Sequence, residues 1–283
     1  MTVPLRNHGR RLDGLTYDEY AALPGVRSSG LHRLAMSPLH YHGPQPERRG
    51  GAGWLHLVHS LVLEPITVPD AYAVYPGRRA GKVWDEYRAA HEGRTIVTTA
   101  EYTRAAHVAA GVYGHPAAAA LMDLPGHSEV TITWYDETHL VDCQARLDRY
   151  AVDPTTGRHI IIDLKTYGTS DPRVIGRRAA QLGAHVQAAH YRAAVESLGV
   201  PPDMIDQYLI VAEHAAPYDV AVVELTRDHA IHLGETERQR LLALLAECQA
   251  TDTWPGRCPA VEPLILPAWT EGDDDLYLTG DEQ

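Results

Sequence analysis

The stretch HIIIDLKTYGTSDP, residues 159–172, decides how this chain is read. Three isoleucines ahead of an Asp-Leu-Lys tripeptide predict a strand over 159–165. Side chains alternate along a strand, so Ile160, Ile162 and Leu164 point to one face and Ile161, Asp163 and Lys165 to the other. A carboxylate and an ammonium therefore stand two residues apart on a face that also carries an isoleucine in need of cover. Alone, such a tripeptide is most often a surface ion pair at a strand end. Its surroundings change that reading.

Two alternating runs precede it. Residues 129–135 place Val130, Ile132 and Trp134 on one face. Residues 140–148 set Val141, Cys143, Ala145 and Leu147 against Asp142, Gln144, Arg146 and Asp148. DPTTGR is a turn, so the economical arrangement is an antiparallel meander of three strands. Pairing across that turn brings Asp148, at the end of its strand, close to Asp163. Two carboxylates with the Leu164 carbonyl nearby suit a hard, oxygen-liking cation such as Mg²⁺ or Mn²⁺. A lysine beside them can orient or deprotonate a water and offset charge on a pentavalent phosphate.

Helical patterns flank the meander. Asp171-Pro172 supplies an N-cap and a first-turn proline for a helical run to residue 198, interrupted at Gly183. Gln187 and Tyr191, four apart, share one face of it. Strands 207–213 and 218–225 form a hairpin around residues 215–217, followed by a helix over 228–250. Upstream, short helices are expected at 18–23 and 29–36, and a largely apolar helix at 54–63 ends at Pro65. It carries His59 among Leu57, Val58, Leu61 and Val62, a setting more typical of a core histidine than of a ligand. Further helices are expected at 83–91, 99–113 and 115–123.

Composition narrows the classes. The net charge of −12 argues against a protein that coats nucleic acid indiscriminately, although six acids and no base in residues 271–283 account for half of it. That acidic run is expected to be disordered. Three widely spaced cysteines fit a reducing cytoplasm and are too few for a four-cysteine iron–sulfur cluster. No apolar run reaches the roughly 18 residues of a membrane helix, and no secretory signal is visible at the N-terminus.

The order His59, Asp148, Asp163-x-Lys165, Gln187-x-x-x-Tyr191 resembles the PD-(D/E)XK nuclease superfamily, in the branch shared by RecB-type, Cas4-type and RecE-type enzymes. The segments PGVRSSGLHRLAMSPLHY, HSLVLEP, GRRAGKVWDEY, VDCQARLDRY, IIDLKTYGTSDP, HVQAAHYRAA, APYDVAVVEL and TWPGRCP, in that order, are similar to blocks of the RecE-like (exonuclease VIII) nucleases of phages and prophages. The likeness spans residues 15 to 270. It departs from the family at Leu55, where a small glycine is usual four residues before the histidine, and at WPGR in place of a WPGY-like element.

The resemblance implies an α/β fold with a restriction-endonuclease-like core: a mixed central sheet containing an antiparallel meander, flanked by helices. It implies one nuclease domain over 1–270, with a helical part (1–125) and a catalytic core (126–250). It further implies a Mg²⁺-dependent exodeoxyribonuclease that degrades one strand of linear double-stranded DNA, 5′ to 3′, leaving 3′ overhangs. Family members assemble into homo-oligomeric rings, a tetramer being the expectation here, and act with a RecT-like single-strand annealing protein in recombination. Carried over, Asp148 and Asp163 are metal ligands with the Leu164 carbonyl, His59 is a further ligand, and Lys165 is the catalytic lysine. Gln187 and Tyr191 contact the substrate strand or orient the site, and Glu129 is an additional candidate ligand. Arg78, Arg79 and Lys82, with Arg177 and Arg178, are the candidate DNA-backbone contacts. Two alternatives stay open: a RecB- or Cas4-like single-strand nuclease, and a degenerate module that binds DNA ends or a protein.

Overall fold

The computed structural model describes residues 9–44, 53–258 and 260–266, so the acidic run 271–283 lies outside the described residues. Six strands form the central sheet in the order β1 (Arg10–Leu12), β4 (Gly126–Asp136), β5 (Val141–Val152), β6 (His159–Tyr167), β7 (Ile205–Glu213) and β8 (Val220–Glu224). All neighbours are antiparallel except β6 and β7, whose parallel pairing makes the sheet mixed. A separate parallel pair, β2 (Tyr72–Tyr75) and β3 (Thr95–Thr98), lies outside it. The expected meander is β4–β5–β6. The short strands β1, β2 and β3 carry no alternation long enough to read in the sequence.

Helices cover both faces. One face receives α2 (Ser28–Met36), α10 (Ala184–Ser197) and α11 (His232–Thr251); the other receives α4 (Gly53–Leu63), α7 (Thr99–Gly114) and α8 (Pro116–Met122). The remaining helices are α1 (Tyr17–Ala22), α3 (Pro38–His42), α5 (Val68–Ala71), α6 (Lys82–Ala90) and α9 (Pro172–Gln181). Local chemistry sets their ends. Thr16 with Glu19, and Thr98 with Glu101, form capping boxes for α1 and α7. Asp171 caps α9 ahead of Pro172, and Gly183, at φ 69°, makes the left-handed turn that separates α9 from α10.

Strand β6 is anchored from both sides. Ile160, Ile162 and Leu164 pack with Leu57, Val58 and Val112, while Ile161 enters the opposite core with Val186, Tyr191 and Ala194 of α10. Helix α10 is thus the cover that Ile161 required. Each such fully buried aliphatic side chain contributes about 1.5–3 kcal/mol, enough to hold the strand in one register.

The strand limits differ from the sequence expectation in one consequential way. Strand β5 runs on to Val152, so Asp148 stands inside the strand and does not end it. Leu147 and Tyr150 both enter the α10-side core although they stand an odd three positions apart, so the alternation shifts phase between them. Arg149 is turned away, donating to the Met122 and Leu124 carbonyls beneath the other face. Across the ladder, between the pairs Ser128–Arg149 and Val130–Leu147, Glu129 adopts φ 54°, a left-handed conformation costly for a non-glycine residue. The dislocation falls on the position that carries the candidate ligand.

Close helix packing yields a stability prediction. A Cβ at Gly234, on α11, would lie 2.0 Å from the His185 carbonyl oxygen on α10. Gly234→Ala must push these helices apart, and denaturant unfolding should show a loss of about 1–3 kcal/mol. An unchanged midpoint would contradict this contact.

Candidate active site

The site begins where a ladder stops. Strands β5 and β6 pair from Val152–His159 to Arg149–Ile162 and no further. One step beyond, in the same register, Asp148 lies opposite Asp163. Its Oδ2 takes the place of a ladder acceptor, receiving a hydrogen bond of 2.8 Å from the Leu164 amide. Because the N–H and C=O of a strand residue point to the same side, the Leu164 carbonyl also faces this opening. Further along, the free edge of β5 is taken up by Val26, whose amide donates to the Asp142 carbonyl and whose carbonyl accepts from the Gln144 amide. The strands therefore splay, and the wedge between them holds the carboxylates.

Lys165 closes the other side. Its Nζ donates to Asp163 Oδ1 at 2.8 Å and lies 2.6 Å from Oδ2, which has no hydrogen-bonded partner of its own. Burial pulls the lysine toward neutrality, but Asp163 and Asp148 more than offset it, so its pKa stands above the ordinary lysine value. Asp148 goes the opposite way: burial, reinforced by Asp163, pushes its carboxyl up to about 8. On α4, His59 Nδ1 is 3.9 Å from Asp148 Oδ2, and burial together with Lys165 lowers the imidazole to about 4. It is neutral at ordinary pH, with a lone pair available. Helix α10 supplies Gln187 and Tyr191, whose side chains hydrogen-bond to each other at 2.8 Å. Burial raises the Tyr191 phenol well above its usual range.

Seven of the expected residues, His59, Asp148, Asp163, Leu164, Lys165, Gln187 and Tyr191, therefore meet around one wedge. Glu129 lines the same open cleft, of about 680 Å³, but its carboxylate is held by Arg146 Nε at 2.5 Å. The basic candidates divide. Arg178 sits 5.3 Å over the ring of Tyr167, two residues past Lys165 on β6, with Arg177 beside it on α9. None of Arg78, Arg79, Lys82, Arg177 and Arg178 lines the cleft itself. Arg79 is committed to the Ile96 carbonyl and Glu101, and Lys82 lies 3.7 Å from Glu86. Sequence reasoning missed Arg146, Tyr20 and Arg27, which line the cleft with both guanidiniums 5.8 Å from the Tyr20 ring. Arg146 could have been found, since it lies two residues before Asp148 on the same face of the strand. Tyr20, on a one-and-a-half-turn helix, carries no such signal.

Among the described residues no three His, Cys, Asp or Glu side chains converge into a ready-made cation cluster. The donor set here is instead two carboxylates and a main-chain carbonyl, with one carboxylate oxygen lacking a hydrogen-bonded partner. That set fits a hard divalent cation that keeps several of its own waters.

Raising the folded-state pKa of Asp148 has a definite sign. The unfolded carboxyl ionises near 3.8, so the stability contribution present below that pH is lost as pH rises through about 8. With chelator present, Asp148→Asn should therefore stabilise the protein relative to wild type at pH 8, by at least about 1 kcal/mol, and much less at pH 4. Denaturant midpoints at the two pH values check this; equal differences at both would contradict it.

Among solved structures, a protein of Eubacterium rectale provisionally named an exonuclease superposes with a TM-score of 0.56 at 16% identity, over 90% of this chain and 96% of that one. At that identity the likeness shows the fold alone. No curated protein matches. Residues 56–266 match the model of a family described as a PDDEXK-like domain of unknown function (DUF3799). This span holds His59, Asp148, Asp163, Lys165, Gln187 and Tyr191, and with three-quarters of the sequence inside it the chain belongs to that PDDEXK-like family.

Proposed function

We propose that this protein is a Mg²⁺-dependent exodeoxyribonuclease, with Mn²⁺ able to substitute, that degrades one strand of linear double-stranded DNA. The observation that carries the reading is the wedge between β5 and β6, where Asp148 and Asp163 lie opposite each other with Lys165 on the second. A divalent cation bound there supplies the Lewis acidity that polarises a phosphodiester and acidifies water. Asp148, Asp163 and the Leu164 carbonyl hold it, with the neutral His59 imidazole adjoining.

The chain's own groups do the rest. The Lys165 ammonium faces the reacting phosphate as a fixed positive charge, and its raised pKa favours that role over general base. Gln187 orients the substrate strand, its amide fixed by the Tyr191 hydroxyl. Arg177 and Arg178 meet the DNA backbone beyond the end of β6. Resemblance to the RecE-like enzymes supports the finer proposals: 5′ to 3′ polarity, a 3′ overhang passed to a RecT-like annealing protein, a ring of identical subunits, and a cytoplasmic location. No helix among the described residues is long and apolar enough to cross a membrane.

Digestion of a linear duplex labelled at either end, with a single-stranded control, tests activity and polarity together. Asp163→Ala should lose digestion and the cation-induced rise in melting temperature. Lys165→Met should lose about 10²–10³-fold in rate yet keep that thermal shift. Full digestion by Asp163→Ala would sink the assignment, and preference for single strands would redirect it.

Salt dependence separates the two basic groups. Replacing Arg177 and Arg178 by Ala should reduce the slope of log affinity against log salt by about one for each arginine–phosphate pair removed. Arg79→Ala should leave it unchanged, because that guanidinium is already held by Glu101.

A further inference from the structure

A second opening lies away from the wedge. A groove of about 510 Å³ runs between α2, the end of α9 and the start of α11, with the buried Val186 and Leu241 at its base and His32, His185 and Glu237 among the polar groups that line it. Its rim carries large apolar side chains facing solvent: Met36 is 39% exposed and Leu233 51%. Isolated exposed apolar residues are ordinary, but apolar side chains edging a concave surface are the arrangement that an apolar chain segment can fill.

The same molecule carries a segment without a place. Val261, Leu264, Ile265 and Leu266 are between 59% and 100% exposed. They follow a part of the chain that is pinned down. Trp254 stacks on Tyr41 and His42, the Leu39 amide donates to the Pro255 carbonyl, and Arg257 Nε donates to the Met36 carbonyl. Arg257 is itself a groove residue, so the apolar segment leaves the body at the groove's edge.

We infer that residues 261–266 of one copy of this chain occupy the groove of a second copy. Only three residues separate Arg257 from Val261, and one is Pro259; Pro263 and Pro267 follow at intervals of four. With Val261, Leu264, Ile265 and Leu266 all exposed, the segment does not lie in the groove it has just left. The contact is head-to-tail, groove of one copy to segment of the next, the kind of contact that closes into a ring when the rotation permits.

The inference deepens the self-association proposed above and is independent of the nuclease chemistry. Its test mixes two full-length populations in a Cys258→Ser background, one with Leu233→Cys in the groove, the other with Ile265→Cys in the segment. Cys143 and Cys248 are buried and stay silent. With a short bis-maleimide, the mixture should give a covalent dimer in at least tenfold excess over a mixture of Leu233→Cys with Ile66→Cys, a remote site that is 89% exposed. Sedimentation of the unmodified chain runs alongside. A cross-link above control supports the exchange. An oligomer without it overturns the exchange and leaves self-association standing; a monomer overturns both. Cross-linking confined within one chain, in a variant carrying both cysteines, overturns it in favour of docking in cis.

Discussion

Everything in the wedge depends on one hydrogen bond that is not made to backbone. At the Leu164 amide, a regular antiparallel ladder would present a carbonyl of β5; the chain presents the Asp148 carboxylate instead. A buried donor must be satisfied, and satisfying it with a side chain lets the two strands part without leaving the amide bare. The same contact fixes Asp148 opposite Asp163. The geometry of the site is therefore a by-product of how the sheet ends its own pairing.

This arrangement stores opposing demands. Two carboxylates without a cation repel, and burial makes ionisation of Asp148 costly. Lys165 relieves one of them, His59 stays neutral, and Glu129 is neutralised separately by Arg146. The left-handed backbone at Glu129 and the phase shift beside it in β5 belong to the same balance: local regularity is given up where the chemistry sits.

Much of this was legible in the residues. The alternation of β6, the spacing of Asp163 and Lys165, the meander, the break at Gly183 and the pairing of Gln187 with Tyr191 all follow from periods of 2 and 3.6. What escaped had a different physical origin. The end of β5 was hidden because alternation breaks at Asp148, while the strand itself continues through the break. Strands β2 and β3 are four residues each and pair only with one another, so they leave no periodic trace. The Tyr20 and Arg27 wall of the cleft comes from chain elements far in sequence from Asp148, and the ion pair of Arg79 with Glu101 likewise joins separate elements.

The Lys165–Asp163 contact also bears on the order in which the molecule is assembled. A carboxylate that waits for an external cation would leave the nascent chain with an uncompensated buried charge. Here the counter-charge is built in two residues away on the same strand, so Asp163 is buried with its charge already compensated. In the proposed function a cation would have to bind beside that ammonium and against its charge.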